Sequence, residues 1–544
     1  MRNSSRALNF VTVPDIVLST LNAKFIHAAF GLRYLFANLG DLQSRARIVE
    51  FDINQRPVDI AEILLAQNPK IIGLGIYIWN VAEATEVAAA IKRVRPEVTI
   101  ILGGPEVSYE TESQPIVQLA DNVITGEADL KFAEVCSELL SLPVAEDIRP
   151  SEQTADGSTD AKIFNAIPKI IPAPLPEFSQ LKLPYEFYDD RDIAHRIIYV
   201  EASRGCPFTC EFCLSSLDIP VRAAPLEQFL GEMQKLLDRG VRQFKFVDRT
   251  FNLNIAASRA ILEFFLERHR PGNFYHFEMI PDRLPDPLRD IIKRFPPGSL
   301  QFEVGVQTVN PQVGQLISRK QNHGRLEENL RFLRNETGVH VHADLIVGLP
   351  GEPLESIAAG FDWLVALHPQ EIQIGLLKRL RGTPIIRHDA EWQMVYNPHP
   401  PYEILQNRLI DFATMQKLRR FSRYWDLVGN SGNFVATTAL IWENASSPFA
   451  AFMRFSEWLH ERAGRTDSIA LARLMEWLLE FLTVERQLEA RRVAGALWND
   501  YRRGGRRDKP SLLRAYLPDA EPSPPRRPVG LPKRQARHLT QNER

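Results

Sequence analysis

Three of the four cysteines lie within eight residues of one another, at Cys206, Cys210 and Cys213. Thiolates in such a C-x3-C-x2-C spacing are ligands for iron–sulfur clusters, zinc or copper(I). A structural zinc ion normally takes four protein ligands, and no fourth Cys or His follows nearby. Three thiolates on a four-iron cluster leave one iron open, and an open iron can bind a substrate or cosubstrate. The spacing therefore favours a cluster with chemistry at its fourth iron.

A repeating strand–helix region must position this loop. Strands are predicted at residues 197–201, 243–248, 275–280, 300–307, 341–347 and 371–377, with helical patterns between them. The cysteine loop directly follows the first of these strands. Consecutive strand–helix units are compatible with a partial (β/α)6 barrel, in which ligands bind at the carboxyl ends of the strands. We assign the barrel to residues 184–385.

The cysteine spacing, with an aromatic residue before the last cysteine, resembles the signature of the radical S-adenosylmethionine (SAM) superfamily. The resemblance implies that Cys206, Cys210 and Cys213 hold a [4Fe–4S] cluster whose open iron binds the amino and carboxylate groups of SAM. One electron from the reduced cluster would cleave SAM to methionine and a 5′-deoxyadenosyl radical, which abstracts hydrogen from a substrate. It also implies that Phe212 contacts the adenine region and that a reduced flavodoxin or ferredoxin donates the electron.

Other strand ends of the barrel agree with this resemblance. Residues 303–307 resemble the family's E-x-G-x-Q strand, in which Glu303 and Gln307 share one face and point towards the SAM pocket. An internal ion pair is the alternative for Glu303. Asp248 follows the second strand and is expected at the same pocket. Gly348 lies in a segment that resembles the fifth-strand region of the family, where glycine permits close backbone approach.

Residues 14–140 alternate short apolar runs with helical patterns, which predicts a Rossmann-like, doubly wound parallel sheet. A domain of this kind before a radical SAM barrel is similar to the cobalamin-binding class. The resemblance implies that Gly103, Gly104 and Gly126, which follow two of the strands, let cobalamin approach the sheet edge. The D-x-H-x-x-G motif of cobalamin proteins is not intact around His27, which favours packing over cobalt ligation for His27. A domain that only supports the barrel is the alternative.

The rest of the chain is assigned by composition and periodicity. Residues 141–183, rich in Pro, Ser, Thr, Asp and Ala, are predicted to be a linker. Residues 400–503 carry apolar residues at three-and-four spacing and are predicted to form a helical C-terminal domain. Residues 519–544 are poor in apolar residues and are predicted to be a disordered tail. The fold class is therefore α/β with a helical C-terminal domain. Residues 20–27 and 77–80 resemble one uncharacterised subgroup of the class, whose members have such a C-terminal domain.

Bulk properties exclude several functions. The net charge is -2 and the chain is 44% hydrophobic, whereas general nucleic-acid binders carry a clear basic excess. No apolar run is long enough to span a membrane, and the N-terminus does not read as a signal peptide. We therefore expect a cytoplasmic protein without a membrane partner. The fourth cysteine, Cys136, falls in an apolar helical pattern and is expected to be a buried structural thiol.

Three functions are compatible with these features. The first is a cobalamin-dependent radical SAM enzyme that transfers a methyl group to an unactivated carbon of an unknown substrate. The second uses the same cofactors for rearrangement or cyclisation without methyl transfer. The third is a non-catalytic cobalamin or iron–sulfur sensor. A methylthiotransferase would need three more cysteines in the N-terminal domain, which contains only Cys136.

Overall fold

Two units are seen in the computed structural model, which describes residues 13–141, 167–218, 220–506, 508–517 and 530–539. The first unit comprises Met1–Tyr199 and Arg222–Val241, and the second comprises Val200–Val221 and Arg242–Arg544. Residues 184–199, which we expected within the barrel region, thus group with the first unit.

The first unit is built on a six-stranded sheet with the order β2-β1-β3-β4-β5-β6, in which all paired strands are parallel. Every residue of β1 is buried, as expected for a strand with helices on both faces of the sheet. The strands are β1 Ile16–Asn22, β2 Ala46–Asp52, β3 Ile71–Gly75, β4 Thr99–Gly103, β5 Asn122–Thr125 and β6 Ile170–Pro172.

Each face of this sheet carries its own apolar core. Val17 and Leu102 belong to one core, whereas Leu18, Ile101 and the fully buried Cys136 belong to the other. The predicted doubly wound domain and the buried thiol are both confirmed. The helices of this unit are α1 Phe30–Ala37, α2 Pro57–Leu65, α3 Val81–Val94, α4 Pro115–Leu119, α5 Lys131–Ser141, α6 Asp190–His195 and α7 Leu226–Asp238.

The predicted linker is wrong for part of its length. Residues 170–172 form β6, which pairs with β5 and places Ile171 in the core of the sheet. The strand is only three residues long, so no alternating pattern distinguishes it from the Pro-rich segment around it. The remaining expectation, for residues 142–166, lies outside the described residues.

A second parallel sheet has the order β14-β13-β12-β11-β10-β7, and it confirms the strands predicted for the radical SAM region. Phe244, Phe246, Phe277 and Phe302 fill the core behind it and are fully buried. The strands from residue 198 onwards are β7 Ile198–Val200, β8 Ser203–Arg204, β9 Arg222–Ala223, β10 Gln243–Phe246, β11 Phe274–Met279, β12 Leu300–Gln307, β13 His340–Val347, β14 Glu371–Leu376, β15 Val395–Tyr396 and β16 Ile404–Gln406.

The helices of the second unit connect its strands and then form the predicted helical C-terminal region. An aromatic cluster of Phe361, Phe421, Trp425, Phe449 and Phe452 packs in the core of this region. The helices are α8 Ile255–Glu267, α9 Asp286–Ile292, α10 Pro311–Leu316, α11 His323–Glu336, α12 Leu354–Leu367, α13 Phe412–Val428, α14 Val435–Thr438, α15 Pro448–Ala463, α16 Leu471–Glu480, α17 Ala490–Arg503 and α18 Lys533–His538.

Helix α13 begins later than the helical domain predicted from residue 400 onwards. Residues 404–406 pair with Val395–Tyr396 as a short antiparallel hairpin, so the helix cannot begin before them. It begins at Phe412, where the Asp411 side chain accepts a hydrogen bond from the Thr414 backbone N–H at 2.8 Å. A carboxylate at this position satisfies one of the unpaired amides of the first turn.

The outer edge of the second sheet is covered by the C-terminal helices. The Asn430 side chain accepts from Ile372 N–H and donates to Ile372 C=O, both at 2.9 Å. The Ser422 hydroxyl donates to the Ile374 carbonyl of the same strand. Side chains thus take the place of a further strand along β14.

Part of the predicted disordered tail is ordered. Residues 530–539 include α18, from which Arg534 reaches both Glu371 and Asp426 at 2.7 Å. His538 is buried and lies near His340. These contacts offset the low apolar content on which the prediction of disorder depended. The rest of that prediction, for residues 519–529 and 540–544, lies outside the described residues.

Among the described residues, no helix combines the length and the hydropathy that crossing a bilayer requires.

Candidate functional site

The three clustered cysteines line one cavity of about 240 Å³ in the second unit, at the carboxyl ends of its parallel strands. Cys206 and Cys210 are buried and Cys213 is half-buried. Gly205 allows the loop to close, since its φ is +88° and an added Cβ would lie 2.7 Å from the Asp218 carbonyl oxygen. Only glycine tolerates that combination. The sequence prediction that these thiols share one loop at a strand end is met by this geometry.

The thiols are not arranged as a mononuclear metal site. In the described part of the chain, no three His, Cys, Asp or Glu side chains form a group that could hold one metal ion. A zinc site needs its ligands around a single ion, whereas a four-iron cluster takes its thiolates on separate irons. Three thiolates suit a four-iron cluster, which takes them on three of its irons.

An arginine that the sequence analysis missed lies against the thiols. Arg319 Nη1 is 3.3 Å from Cys210 Sγ, and Nη2 of the same side chain donates to the Gly305 carbonyl. Burial raises the pKa of the Cys206 thiol, and the nearby thiols raise it further, whereas the charge of Arg319 lowers it. The guanidinium therefore compensates negative charge on this loop. Arg319 follows strand β12 by twelve residues, and its spacing alone carries no signal of this role.

Strand β12 contributes the polar wall of the cavity. Its burial alternates, and Glu303, Gly305 and Gln307 all line the cavity, as the E-x-G-x-Q pattern predicted. His276 Nε2 lies 3.0 Å from Glu303 Oε2. Burial alone would raise the pKa of Glu303, but its interactions with His276, Lys245 and His342 outweigh burial and lower the pKa. Glu303 is thus ionised and faces the thiols across the cavity.

A second carboxyl on the same wall, that of Asp344, is in the opposite protonation state to Glu303. Asp344 on β13 lines the cavity, and its Oδ1 is buried without a hydrogen-bond partner among the described residues. Burial raises the pKa of Asp344 well above its usual range, and the negative charges of Glu303 and Glu278 raise it further. An unpaired polar atom in a cavity is a free contact for a polar ligand. Strands β12 and β13 therefore offer the cavity one ionised carboxyl, Glu303, and one neutral carboxyl, Asp344.

Glu211, between two of the cysteines, holds the loop in place and was also missed by the sequence analysis. It is only 2% exposed. Its carboxylate accepts from Ser318 Oγ at 2.7 Å, lies 2.8 Å from His388 Nε2 and pairs with Arg387. Its backbone N–H donates to the Ile317 carbonyl. A charge can be buried in this way only because it has several partners.

Asp248 and Gly348, both predicted to contact the cofactor, do not line the cavity. Asp248 is 2% exposed and accepts hydrogen bonds from the Ala202 N–H and the Ser203 hydroxyl, so it orders the chain that leads into the cysteine loop. Gly348 has a φ of +91°, and an added Cβ would lie 2.6 Å from Ile404 Cγ2. A glycine is needed at this position because Ile404 of β16 packs directly against it. Cofactor contact of the two residues stays a prediction, and the contacts seen in the structure are with the protein itself.

Within the first unit, Gly103, Gly104 and Gly126 lie at the carboxyl ends of β4 and β5, as predicted. Gly104 is required by packing, since its φ is +107° and an added Cβ would meet the backbone of Ile76. His27 shares a hydrogen bond of 2.5 Å with the Tyr199 hydroxyl. The structure therefore gives His27 a packing partner within its own unit, in agreement with the preferred interpretation.

Exposed aromatic side chains gather at the same edge of the first sheet. The strand order reverses between β1 and β3, and ligands of open parallel sheets bind outside the carboxyl ends of the strands at such a point. Trp79 follows β3, is 44% exposed and stacks on Tyr77 with ring centroids 4.4 Å apart and planes within 7°. Phe25, in the loop after β1, is 42% exposed. The stacked rings of Trp79 and Tyr77 form a flat aromatic surface that suits a large planar ring, whereas the Phe25 ring packs against Arg191 and Arg196.

The effect of burial on a carboxyl pKa can be tested at Glu352, which lies in the segment that follows β13. Burial raises its pKa to about 7, although Thr308 and Ser356 donate hydrogen bonds to it. Because the folded protein favours the protonated form of Glu352, protonation of this side chain stabilises the fold. This contribution to the free energy of unfolding is fully present below the ordinary pKa of 4.5 and is lost as the pH rises through about 7.

We therefore expect the wild-type Tm to fall between pH 5 and pH 8. The Tm of the Glu352→Gln variant should fall less over this range, and the difference corresponds to roughly 2–3 kcal/mol in the free energy of unfolding. Thermal unfolding across this range measures it. Glu355→Gln, an exposed glutamate on the following helix, is the matched control. Identical pH profiles for wild type and Glu352→Gln would contradict the expectation.

Comparison with known proteins identifies three domains. Residues 200–364 match the family model of the radical SAM superfamily, residues 16–136 match the B12 binding domain, and residues 390–521 match a protein family of unknown function, DUF4080. The matches place the cysteine cavity in the radical SAM domain and the exposed aromatic edge in the B12 binding domain.

Two curated proteins are similar to this chain at low identity. An uncharacterized methyltransferase from Pyrococcus horikoshii is 24% identical over 339 residues, which is 60% of this chain and 70% of that protein. The cobalamin-dependent radical SAM methyltransferase TokK from Streptomyces tokunonensis is 25% identical over 338 residues, 58% of this chain. The chain spans only 48% of the length of TokK.

A solved structure supports the fold. The radical SAM methyltransferase TsrM from Kitasatospora setae, determined with cobalamin and a [4Fe–4S] cluster, has a TM-score of 0.53 at 16% identity, over 70% of this chain and 75% of that one. At this identity the likeness supports the fold, and the class follows from the domain matches. The chain is a radical SAM enzyme with a B12-binding domain and a C-terminal DUF4080 domain, and its cofactors are a [4Fe–4S] cluster, SAM and cobalamin.

Proposed function

We propose that the protein reductively cleaves SAM at a cluster held by Cys206, Cys210 and Cys213 and transfers a methyl group to an unactivated carbon of its substrate, with cobalamin as the methyl carrier. The observation that carries the proposal is the single cavity shared by the three thiols and the polar face of β12. The relatives named above are methyltransferases, which supports the choice of methyl transfer.

In this proposal the residues of the cavity have separate tasks. Glu303, which is ionised, faces the amino and ribose groups of SAM, and the neutral Asp344 donates a hydrogen bond to a polar group of the ligand. Gln307 supplies an uncharged contact on the same strand face. Phe212 packs on the adenine side of the pocket. When bound, the reduced cluster supplies the electron for SAM cleavage and cobalamin supplies the methyl group.

The electron donor and the site of cobalamin are also proposals. A cluster that must be reduced before each cleavage needs a low-potential donor, and a reduced flavodoxin or ferredoxin fits that need. We place cobalamin on the edge of the first sheet marked by Gly103, Gly104 and Gly126, against the exposed ring of Trp79.

The decisive experiment is anaerobic reconstitution with iron, sulfide and hydroxocobalamin, followed by incubation with dithionite and SAM that carries a deuterated methyl group. We expect bound corrin, formation of 5′-deoxyadenosine and transfer of the deuterated methyl group to the corrin. Once a substrate is found, its product should carry the same label on carbon. Absence of both cluster and SAM cleavage would refute the proposal.

The same experiment separates the other functions. Formation of 5′-deoxyadenosine with an unlabelled product would favour rearrangement or cyclisation without methyl transfer. Retention of corrin without SAM cleavage would favour a sensor. Cleavage without retained corrin would remove cobalamin from the reaction and keep the radical SAM assignment.

Replacement of Trp79 by alanine tests the cobalamin site. Loss of the exposed aromatic face removes roughly 2 kcal/mol of apolar contact, so we expect cobalamin affinity to fall by more than about tenfold. Equilibrium dialysis with hydroxocobalamin measures this change. Trp477→Ala, in helix α16, is the control and should bind as wild type does. Unchanged binding in Trp79→Ala would place cobalamin elsewhere.

A further inference from the structure

A second and larger cavity lies in the same unit, next to the thiol cavity. Its volume is about 570 Å³, within the range that small-molecule sites occupy. Phe212 lines both cavities, so the two are separated by one side chain of the cysteine motif. The larger cavity extends from there along β14, where Gln373 and Gly375 line it.

One wall of this cavity is a face of α13. Arg419, Ser422, Arg423 and Asp426 all line it, and their spacing of three, four and seven residues places them on one side of the helix. The opposite side, which includes Leu418, is buried in the C-terminal core. The Ser422 hydroxyl donates to the Ile374 carbonyl and so fixes the polar face against the strand.

The charge of the lining is unbalanced. Arg534 is compensated, with Glu371 and Asp426 both at 2.7 Å, and Arg419 lies 3.6 Å from Glu403. Lys378 and Arg423 also line the cavity. Neither has an acidic side chain within 4.0 Å in the described part of the chain. Two cations therefore face the cavity without a counter-charge.

We propose that this cavity binds the substrate through a carboxylate or phosphate group held by Lys378 and Arg423, with the reacting part directed towards Phe212 and the thiol cavity. The inference rests on the proposed function and names its substrate class. An arginine fork and a lysine ammonium together match the oxygens of either anion. Because α13 lines this cavity, the C-terminal domain would take part in substrate choice.

The test measures anion binding with the reconstituted full-length protein. Inorganic phosphate and succinate are titrated separately against chloride at constant ionic strength, with Tm and equilibrium dialysis as readouts. We expect at least one anion to raise the wild-type Tm and to bind at least about tenfold more weakly to a Lys378→Gln/Arg423→Gln variant. The anion with the larger effect identifies the acidic group.

Arg454→Gln is the matched control, since Arg454 is an exposed arginine on α15 that does not line the cavity. It should bind both anions as wild type does. Equal responses of the wild type and the double variant, or no response of the wild type beyond that to chloride, would overturn the inference. SAM cleavage is measured in parallel on the same samples. Loss of cleavage in wild type with anion binding intact would refute the proposed function alone.

Discussion

Replacement of Cys206, Cys210 and Cys213 by alanine abolishes both the cluster and the formation of 5′-deoxyadenosine. Each thiol lines the same cavity, and each would ligate a different iron, so no remaining group can replace a lost ligand. We expect iron and sulfide contents near zero after reconstitution and no electron paramagnetic resonance signal from a reduced cluster. Cobalamin binding should remain, because it depends on the other unit.

Cys136→Ala provides the matched control for this variant. Cys136 is fully buried in the first unit, and burial raises the pKa of its thiol to about 12, so it is an inert core residue. The control should keep its full cluster and its activity with at most a modest loss of stability. A cluster that survives in the triple variant, or disappears in the control, would show that the ligands have been assigned wrongly.

Replacement of Glu211 by alanine has the second largest expected effect. The change leaves Ser318 and His388 with no carboxylate partner in a buried site, and loss of one partner of a buried charged network costs about 3–5 kcal/mol. Because the lost contacts join the cysteine loop to two other segments, we also expect the cluster content to fall several-fold. Iron and sulfide analysis and the spectrum of the reduced cluster measure the second effect.

Two further variants separate positioning of the loop from general stability. Glu211→Gln keeps an acceptor for the Ser318 hydroxyl and should retain more cluster than Glu211→Ala. Glu328→Ala, which removes an exposed partner of Arg289, should leave the cluster spectrum unchanged. If Glu211→Ala lowers Tm but binds a full cluster with an unchanged spectrum, Glu211 is structural and does not position the loop.

The sequence predicted the site correctly where the spacing of one residue type, or the two-residue repeat of a strand, determined the position of a side chain. The cysteine spacing located the cavity, and the alternation of Glu303, Gly305 and Gln307 predicted their shared face, because side chains of a strand repeat every two residues. It failed for Glu211 and Arg319. Their roles come from contacts with Ser318, His388 and Gly305, which are far away along the chain, and no local pattern records them.

Asp248 and Gly348 show a related limit. Asp248 was assigned to the ligand because it follows a strand, yet it binds the backbone that leads into the cysteine loop. Gly348 was assigned to close approach of a ligand, yet the close approach is that of Ile404. In both cases the residue type correctly indicates that another group lies close to it. Which group that is depends on tertiary packing, which the local sequence does not record. The short β6 and the ordered α18 were missed for the same reason.

The Asn430 side chain has a consequence for the behaviour of the protein in solution. An edge strand with free amides and carbonyls is a template on which a second molecule can add a strand. Asn430 occupies both backbone groups of Ile372, and Ser422 occupies the carbonyl of Ile374. The open side of the sheet is thereby closed to strand addition, so these two polar side chains protect the enzyme from self-association into sheet-like aggregates.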